Sequence, residues 1–315
     1  MQLTDYTLLE KCKKEHDLGM DLNNARELGG YVMQDGRVVK RGLLLRTTRL
    51  CDASERDLKR LSDEFKVACI LDMRGEDEAR HDPDPEIPGA RYIIDPIIGP
   101  EATENMAASF QAHKQPALPE GLLPEGVDPA EIENDSDKQR EFFEQVMKKD
   151  PMYLVKMIAG IAEESDITGS YTMYLKSEFG RNGFRLFFKS ILETEKGAVL
   201  WHCLTGKDRT GIGAALLLQI LGADWDTILM DYEVSNLYFA DRIEYMEKAL
   251  KEEGYSDVAI AKTVGMMAGI HPDMLIRAWD YMKAEYGSVE GYIKDVLGLT
   301  EDDFETLRSR YLEEV

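Results

Sequence analysis

Gly197-Ala198-Val199-Leu200-Trp201-His202-Cys203-Leu204-Thr205-Gly206-Lys207-Asp208-Arg209-Thr210-Gly211-Ile212 joins an apolar run to a second, longer one, and the reading of the fold turns on this stretch. The run 197–201 predicts a buried central strand. Residues 212–221 are apolar almost all round, which predicts a fully buried helix. A loop between them that turns back at the helix N-terminus gathers backbone N–H groups on one point, with the positive end of the helix dipole behind. Such a nest takes a tetrahedral anion. Gly206 and Gly211 permit the tight path.

Working outward, short apolar runs at 38–39, 43–45, 67–71 and 92–94 read as further strands. A charged helical pattern spans 52–62, with Asp52 as its N-cap. Strand and helix signals that alternate in this way predict an α/β fold with a central, largely parallel sheet flanked by helices. Residues 115–137 hold Pro116, Pro119, Pro124 and Pro129 among many acids, so a lid or insertion is expected within 100–180 of a single domain over 1–315. Helical patterns follow at 140–162, 171–193 and 231–253, the last closed by Gly254. Pro272 suits a first helical turn, and Thr300 with Asp303 forms a capping-box pattern. The C-terminal part is helical.

Composition narrows the partners. Apolar residues make up 43% and charged residues 31% of 315, as in soluble globular proteins rather than disordered ones. The formal charge is −22, which disfavours nucleic acid and anionic membrane surfaces. Residues 1–20 show no apolar run of signal-peptide length, and no stretch reaches the length of a membrane helix. Cys12, Cys51, Cys69 and Cys203 lie far apart, which argues against a disulfide framework or zinc site and for a reduced cytoplasmic setting.

The loop carries the chemistry. At the mouth of the nest, Cys203 sits where the field favours negative charge on sulfur, so its thiolate can attack phosphorus. The amides of Leu204, Thr205, Gly206 and Lys207 face the anion, and Arg209 clamps two of its oxygens through a planar fork. The Thr210 hydroxyl donates to the sulfur, and Lys207 adds a second cation. Asp208 is the first candidate for the acid that protonates the leaving oxygen, and Asp72 the second. His202 reads as a hydrogen-bonding support of the loop. Asp72 and Arg74 read either as an internal ion pair or as substrate contacts; Arg26 and Arg46 read as partners of acids. Cys69 is a core thiol, or a resolving thiol for oxidised Cys203. Gly206-Lys207 lacks the hydroxyl residue of a nucleotide-binding P-loop, and Leu216 replaces the third glycine of a dinucleotide fingerprint.

The segment 202–211 resembles the signature of the cysteine-dependent phosphatases, in the version found in bacterial tyrosine phosphatases of the tyrosine/serine or atypical lipid type. Asn24-Ala25-Arg26-Glu27-Leu28-Gly29-Gly30, residues 42–50 with Arg46 and Arg49, Leu71-Asp72-Met73-Arg74 with Glu78, residues 228–236 with Asp231-Tyr232, and Tyr286-Gly287-Ser288-Val289 extend the likeness. The resemblance implies the cysteine-dependent phosphatase fold and phosphomonoester hydrolysis through a phosphocysteine, without metal or other cofactor. In that family the loop aspartate is held to be the acid, which favours Asp208. Substrates implied are phosphotyrosine proteins, with phosphoserine, phosphothreonine or phosphoinositides for some members. The alternatives are an inositol polyphosphate phosphatase and an inactive phosphate-binding module.

Overall fold

Side chains that alternate along a strand must serve two different layers, and the computed structural model, which describes residues 5–99, 149–162 and 169–314, has a filled layer on each face of its sheet. Five strands form that sheet: β1 (Arg26–Glu27), β3 (Leu44–Thr47), β4 (Val67–Asp72), β5 (Arg91–Ile94) and β6 (Ala198–His202), in the order β1-β3-β6-β4-β5. All neighbours are parallel except β1, which runs antiparallel to β3. Val199 and Trp201 of β6 join the larger core with Leu44, Cys69 and Leu71, while Ala198 and Leu200 join the smaller one with Leu45, Val67 and Ile70. The expected strand at Val38–Val39 (β2) forms, but it leaves this sheet and pairs antiparallel with β7 (Leu312–Glu313).

Helices occupy both faces. In chain order these are α1 (Tyr6–His16), α2 (Glu55–Asp63), α3 (Glu76–His81), α4 (Tyr153–Ala162), α5 (Ser170–Lys176), α6 (Glu178–Glu193) and α7 (Arg209–Leu221). They continue as α8 (Trp225–Glu233), α9 (Ser235–Tyr238), α10 (Ala240–Glu252), α11 (Asp257–Met267), α12 (Pro272–Tyr286), α13 (Val289–Asp295) and α14 (Glu301–Tyr311). Buried along all but Gln219, α7 is the central helix of the larger core. A separate small core joins α4, α10 and α11 through Val155, Ala159, Met246, Leu250, Ile260 and Val264.

Several boundaries differ from expectation for local reasons. Ser54, not Asp52, caps α2 by accepting from the Asp57 N–H, because Leu50–Asp52 closes a 3-10 turn first. The single helix expected over 171–193 is two: Ser177 adopts extended backbone, ending α5 and accepting from Gly180 N–H to start α6. The pattern over 231–253 likewise breaks into α8, α9 and α10. Gly254 at φ 85°, Pro272 and the Thr300–Asp303 box stand where expected. The proline-rich stretch 115–137 and the first part of the 140–162 helix lie outside the described residues.

Just beyond β5, Asp95 is fully buried, and neither carboxylate oxygen has a hydrogen-bond partner. Burial first, and then the charge of Asp72, push its carboxyl up to about 8. A carboxyl held protonated in the fold is stabilising at low pH, and that benefit drains away as pH climbs from the unfolded value near 3.8 to about 8. Each pH unit in that window costs up to about 1.4 kcal/mol. Asp95→Asn is therefore expected to melt higher than the parent at pH 8.5 and equally at pH 3.5, by thermal unfolding across that range.

Candidate active site

Three hydrogen bonds shape the loop that follows β6. Arg49 N–H donates to the Leu204 carbonyl at 3.3 Å, Asn24 Nδ2 to that of Thr205 at 3.1 Å, and Arg46 Nη2 to that of Gly206 at 2.8 Å. A trans peptide points its C=O and the following N–H in opposite directions, and the described residues contain no cis peptide. Holding these carbonyls outside therefore turns the N–H groups of Thr205, Gly206 and Lys207 to the inside. Gly206 has φ 66°, and an added Cβ would lie 2.3 Å from the Thr47 carbonyl oxygen, so only glycine fits. Gly211 lies within α7 and is not among the positive-φ glycines, so instead of easing the loop's path its small size admits the Tyr232 ring.

A single carboxylate anchors this arrangement. Asp231 of α8, fully buried, accepts from Arg46 Nη1 at 2.6 Å and from Arg26 Nε at 3.1 Å. Burial raises its carboxyl, but the two guanidiniums outweigh burial and hold it below the usual range. Arg26 and Arg46 thus partner an acid, as the acidic composition led one to expect.

Cys203 is 1% exposed and lies at the floor of the loop rather than at its mouth. The reason is register: β3 and β4 both reach His202, through Thr47 and Asp72, so the next residue is still within the depth of the sheet. Cys69, paired with Val199, lies three residues back along β4 from Asp72. That is roughly 10 Å of strand, beyond the ~7 Å Cα span a disulfide tolerates, so the resolving-thiol reading is set aside.

Arg209 Nη1 donates to Glu78 Oε2 at 2.7 Å and to the Met73 carbonyl at 3.3 Å, and Nη2 donates to Glu78 Oε1 at 3.2 Å. These bonds use three of the five guanidinium hydrogens. The remaining pair, on Nε and Nη2, is parallel and suits two oxygens of one phosphate. Glu78 is itself fixed by the Gly75 N–H at 2.8 Å. Burial raises its carboxyl, and the bond to Arg209 overcomes this and draws it below the usual value.

Lys207, expected over the phosphate, instead points its ammonium at the last turn of α11. Its Nζ donates to the Met266 carbonyl at 2.8 Å and lies 3.0 Å from Asp208 Oδ2. The negative end of a helix attracts a cation in this way. Asp208 occupies the N-cap position of α7 without capping it by side chain. Its Oδ1 accepts from Tyr171 Oη at 2.7 Å, and Tyr171 in turn accepts from Tyr232 Oη at 2.8 Å. The Thr210 hydroxyl is buried with no hydrogen-bond partner, so the expected bond to sulfur is not formed. Trp201 Nε1 donates to the Thr210 carbonyl at 3.1 Å, joining strand end to helix start across the loop. Leu204 is 42% exposed at the lip.

Beneath the loop lies a buried ionic cluster. His202 Nδ1 is 3.3 Å from the Cys203 carbonyl, and Nε2 is 2.9 Å from Asp84 Oδ2, close enough for charge pairing though off the line of a good hydrogen bond. Arg74 Nη2 bridges Asp72 at 2.7 Å and Asp84 at 3.1 Å, and Tyr92 Oη lies within hydrogen-bond distance of both carboxylates, with one proton to share between them. Of the two readings for Asp72 and Arg74, the ion pair is the one present. Burial raises the Asp72 carboxyl, and the bond from Arg74, with His202 and Tyr92, brings it below the usual range. Fully buried and ionised, Asp72 is poorly placed to hand a proton to substrate. Asp72, Asp84 and His202 place ligand atoms within 4.8 Å of one another, but Arg74 already binds both carboxylates.

Five participants carried no role in the sequence reading. Glu78 and Asp231 stood in motifs quoted for their likeness alone, and Asp84 had no signal. Tyr171 and Tyr174 sit past the proline-rich stretch, where spacing says nothing about proximity. Burial first, then the charge of Asp208, pushes Tyr174 up to about 12, with Arg209, Cys203 and Glu78 also within its electrostatic reach.

The profile of the tyrosine phosphatase family matches residues 20–313. The chain is 28% identical over 302 residues to a Cupriavidus necator protein whose name assigns it provisionally to the tyrosine-protein phosphatases, covering 94% of this chain and 89% of that one. A tyrosine-protein phosphatase of Nostoc commune is 33% identical over 132 residues, 40% of this chain and 43% of its own. The triple specificity protein phosphatase PtpB of Mycobacterium tuberculosis is 33% identical over 109 residues, 31% and 38% of the two chains. No helix among the described residues is long and apolar enough to cross a membrane.

Proposed function

Because the chain belongs to the tyrosine phosphatase family, we propose that it hydrolyses aryl phosphomonoesters, phosphotyrosine foremost, in two steps through a phosphocysteine on Cys203. The observation that carries this reading is the outward tethering of the Leu204, Thr205 and Gly206 carbonyls beside the free edge of Arg209. Inward amides and that edge bind the phosphoryl oxygens and neutralise charge that builds up in transfer. The Cys203 thiolate forms the S–P bond as the ester P–O bond breaks, and Asp208 gives its proton to the departing oxygen. Asp208, now ionised, takes a proton from water as that water attacks phosphorus and releases Cys203. No metal enters the scheme, since Arg209 and the amides supply the positive charge.

Phosphotyrosine is preferred to inositol polyphosphates on electrostatic grounds. Around the loop, Lys207 is bound to Asp208 and Met266, Arg49 to Asp52 and Asp82, Arg74 to Asp72 and Asp84, and Arg26 and Arg46 to Asp231. Among the described residues, a second phosphate drawn to any of these cations would have to break its pair. In buffer with EDTA, a phosphotyrosine peptide is expected to turn over faster than a phosphoserine peptide, a phosphoinositide or an inositol polyphosphate. Faster release from the inositol polyphosphate, or dependence on added metal, would overturn the proposal.

The acid role has its own check. Asp208→Asn is expected to slow phenyl phosphate by about 10²-fold or more, within the usual span of general acid catalysis. Slowing of 2,4-dinitrophenyl phosphate, whose leaving group needs no proton, should be far smaller. Equal slowing of both would take the role away from Asp208.

A further inference from the structure

Asp208 does not hang freely over the loop. Tyr171 of α5 and Tyr232 of α8 are both fully buried, with ring centroids 6.1 Å apart at 81°, edge to face. A tyrosine hydroxyl has one proton to give. Tyr232 gives its proton to the Tyr171 oxygen at 2.8 Å, so the proton of Tyr171 goes on to Asp208 Oδ1 at 2.7 Å. Each donor polarises the next, which strengthens the final bond. Burial first, and then the charge of Asp208, keep the Tyr171 hydroxyl well above its ordinary value, so it stays a donor.

From this chain we infer that Tyr171, supported by Tyr232, is the positioning residue of the reaction's acid, an inference that rests on Asp208 filling that role. Oδ1 takes the short bond from Tyr171 at 2.7 Å, which assigns the catalytic proton to Oδ2, the oxygen that Lys207 Nζ faces at 3.0 Å and must yield when the carboxyl is protonated. That proton passes from Oδ2 to the ester oxygen as the P–O bond breaks, and returns to Oδ2 from water in the second step. Tyr171 loses no proton in either. It sets the carboxyl plane and chooses the oxygen. A residue of the segment expected as an insertion thereby completes the catalytic loop, although the two are 37 positions apart.

Leaving-group dependence separates this from a merely structural tyrosine. Tyr171→Phe is expected to lower kcat on phenyl phosphate by about tenfold, the order of one charged hydrogen bond. On 2,4-dinitrophenyl phosphate the loss should be severalfold smaller, with KM for both nearly constant. Tyr232→Phe, which leaves Tyr171 in place, should show the same pattern at smaller size. The double variant should match Tyr171→Phe alone, because Tyr232 acts only through its neighbour. Equal slowing of both esters by Tyr171→Phe, or additive losses in the double variant, would overturn the inference. Asp208→Asn run alongside tells the failures apart: if it discriminates between the esters and Tyr171→Phe does not, Tyr171 is released and Asp208 stands. If Asp208→Asn does not discriminate either, both fall.

Discussion

Cys203→Ser should lose turnover of an aryl phosphate by about 10⁴-fold or more, some 5 kcal/mol of barrier at ~1.36 kcal/mol per factor of ten. The neighbouring imidazole, His202, is not placed to ionise a serine hydroxyl at this position, being turned toward the Cys203 carbonyl and Asp84. The cradle, by contrast, owes nothing to the sulfur. Its carbonyls are held by Arg49, Asn24 and Arg46, and Arg209 by Glu78. The variant should accordingly bind inorganic phosphate or tungstate within a fewfold of the parent, by calorimetry. Turnover within a factor of ten of the parent would remove the phosphocysteine from the mechanism.

Arg209→Lys should cost about 10³-fold in kcat/KM, or some 4 kcal/mol, although the charge is kept. In the parent, one edge of the guanidinium is spent on Glu78 and the other is free for phosphate. An ammonium has no second edge: it can lie on Glu78 or on the phosphate, not on both in fixed geometry. Steady-state kinetics on an aryl phosphate would check this, and a loss of less than tenfold would mean that charge alone suffices there.

How much of this was legible in the sequence depended on how local the cause was. The strand read at 197–201 and the helix read at 212–221 follow from unbroken apolar runs and are present, the strand as Ala198–His202 and the helix already from Arg209, which shortens the loop between them. The strands read at 67–71 and 92–94 are present too. Helix ends were less legible, since Ser54 and Ser177 act through one hydrogen bond each, which no periodicity reports. Lys207 was misread because its partner, the Met266 carbonyl, is 59 positions away on a helix whose packing the sequence does not disclose. Cys203 was placed too near the surface because strand register, not the loop motif, decides depth. Asp231 gave no sign of joining two arginines and, through one of them, the loop, because buried ion pairs leave no mark on hydropathy.

That Asp231 clamp has a consequence for wear. Arg46 holds the loop through Nη2 on the Gly206 carbonyl and Asp231 through Nη1, so a movement large enough to pull Arg46 off Asp231 leaves buried guanidiniums unpaired, a change costing about 3–5 kcal/mol. Such a penalty is comparable to a sizeable part of a domain's whole stability. Heat or denaturant that breaks the Asp231 clamp is therefore already dismantling β1, β3 and α8, which supply its three members, so release of the clamp and loss of the surrounding fold are expected to coincide.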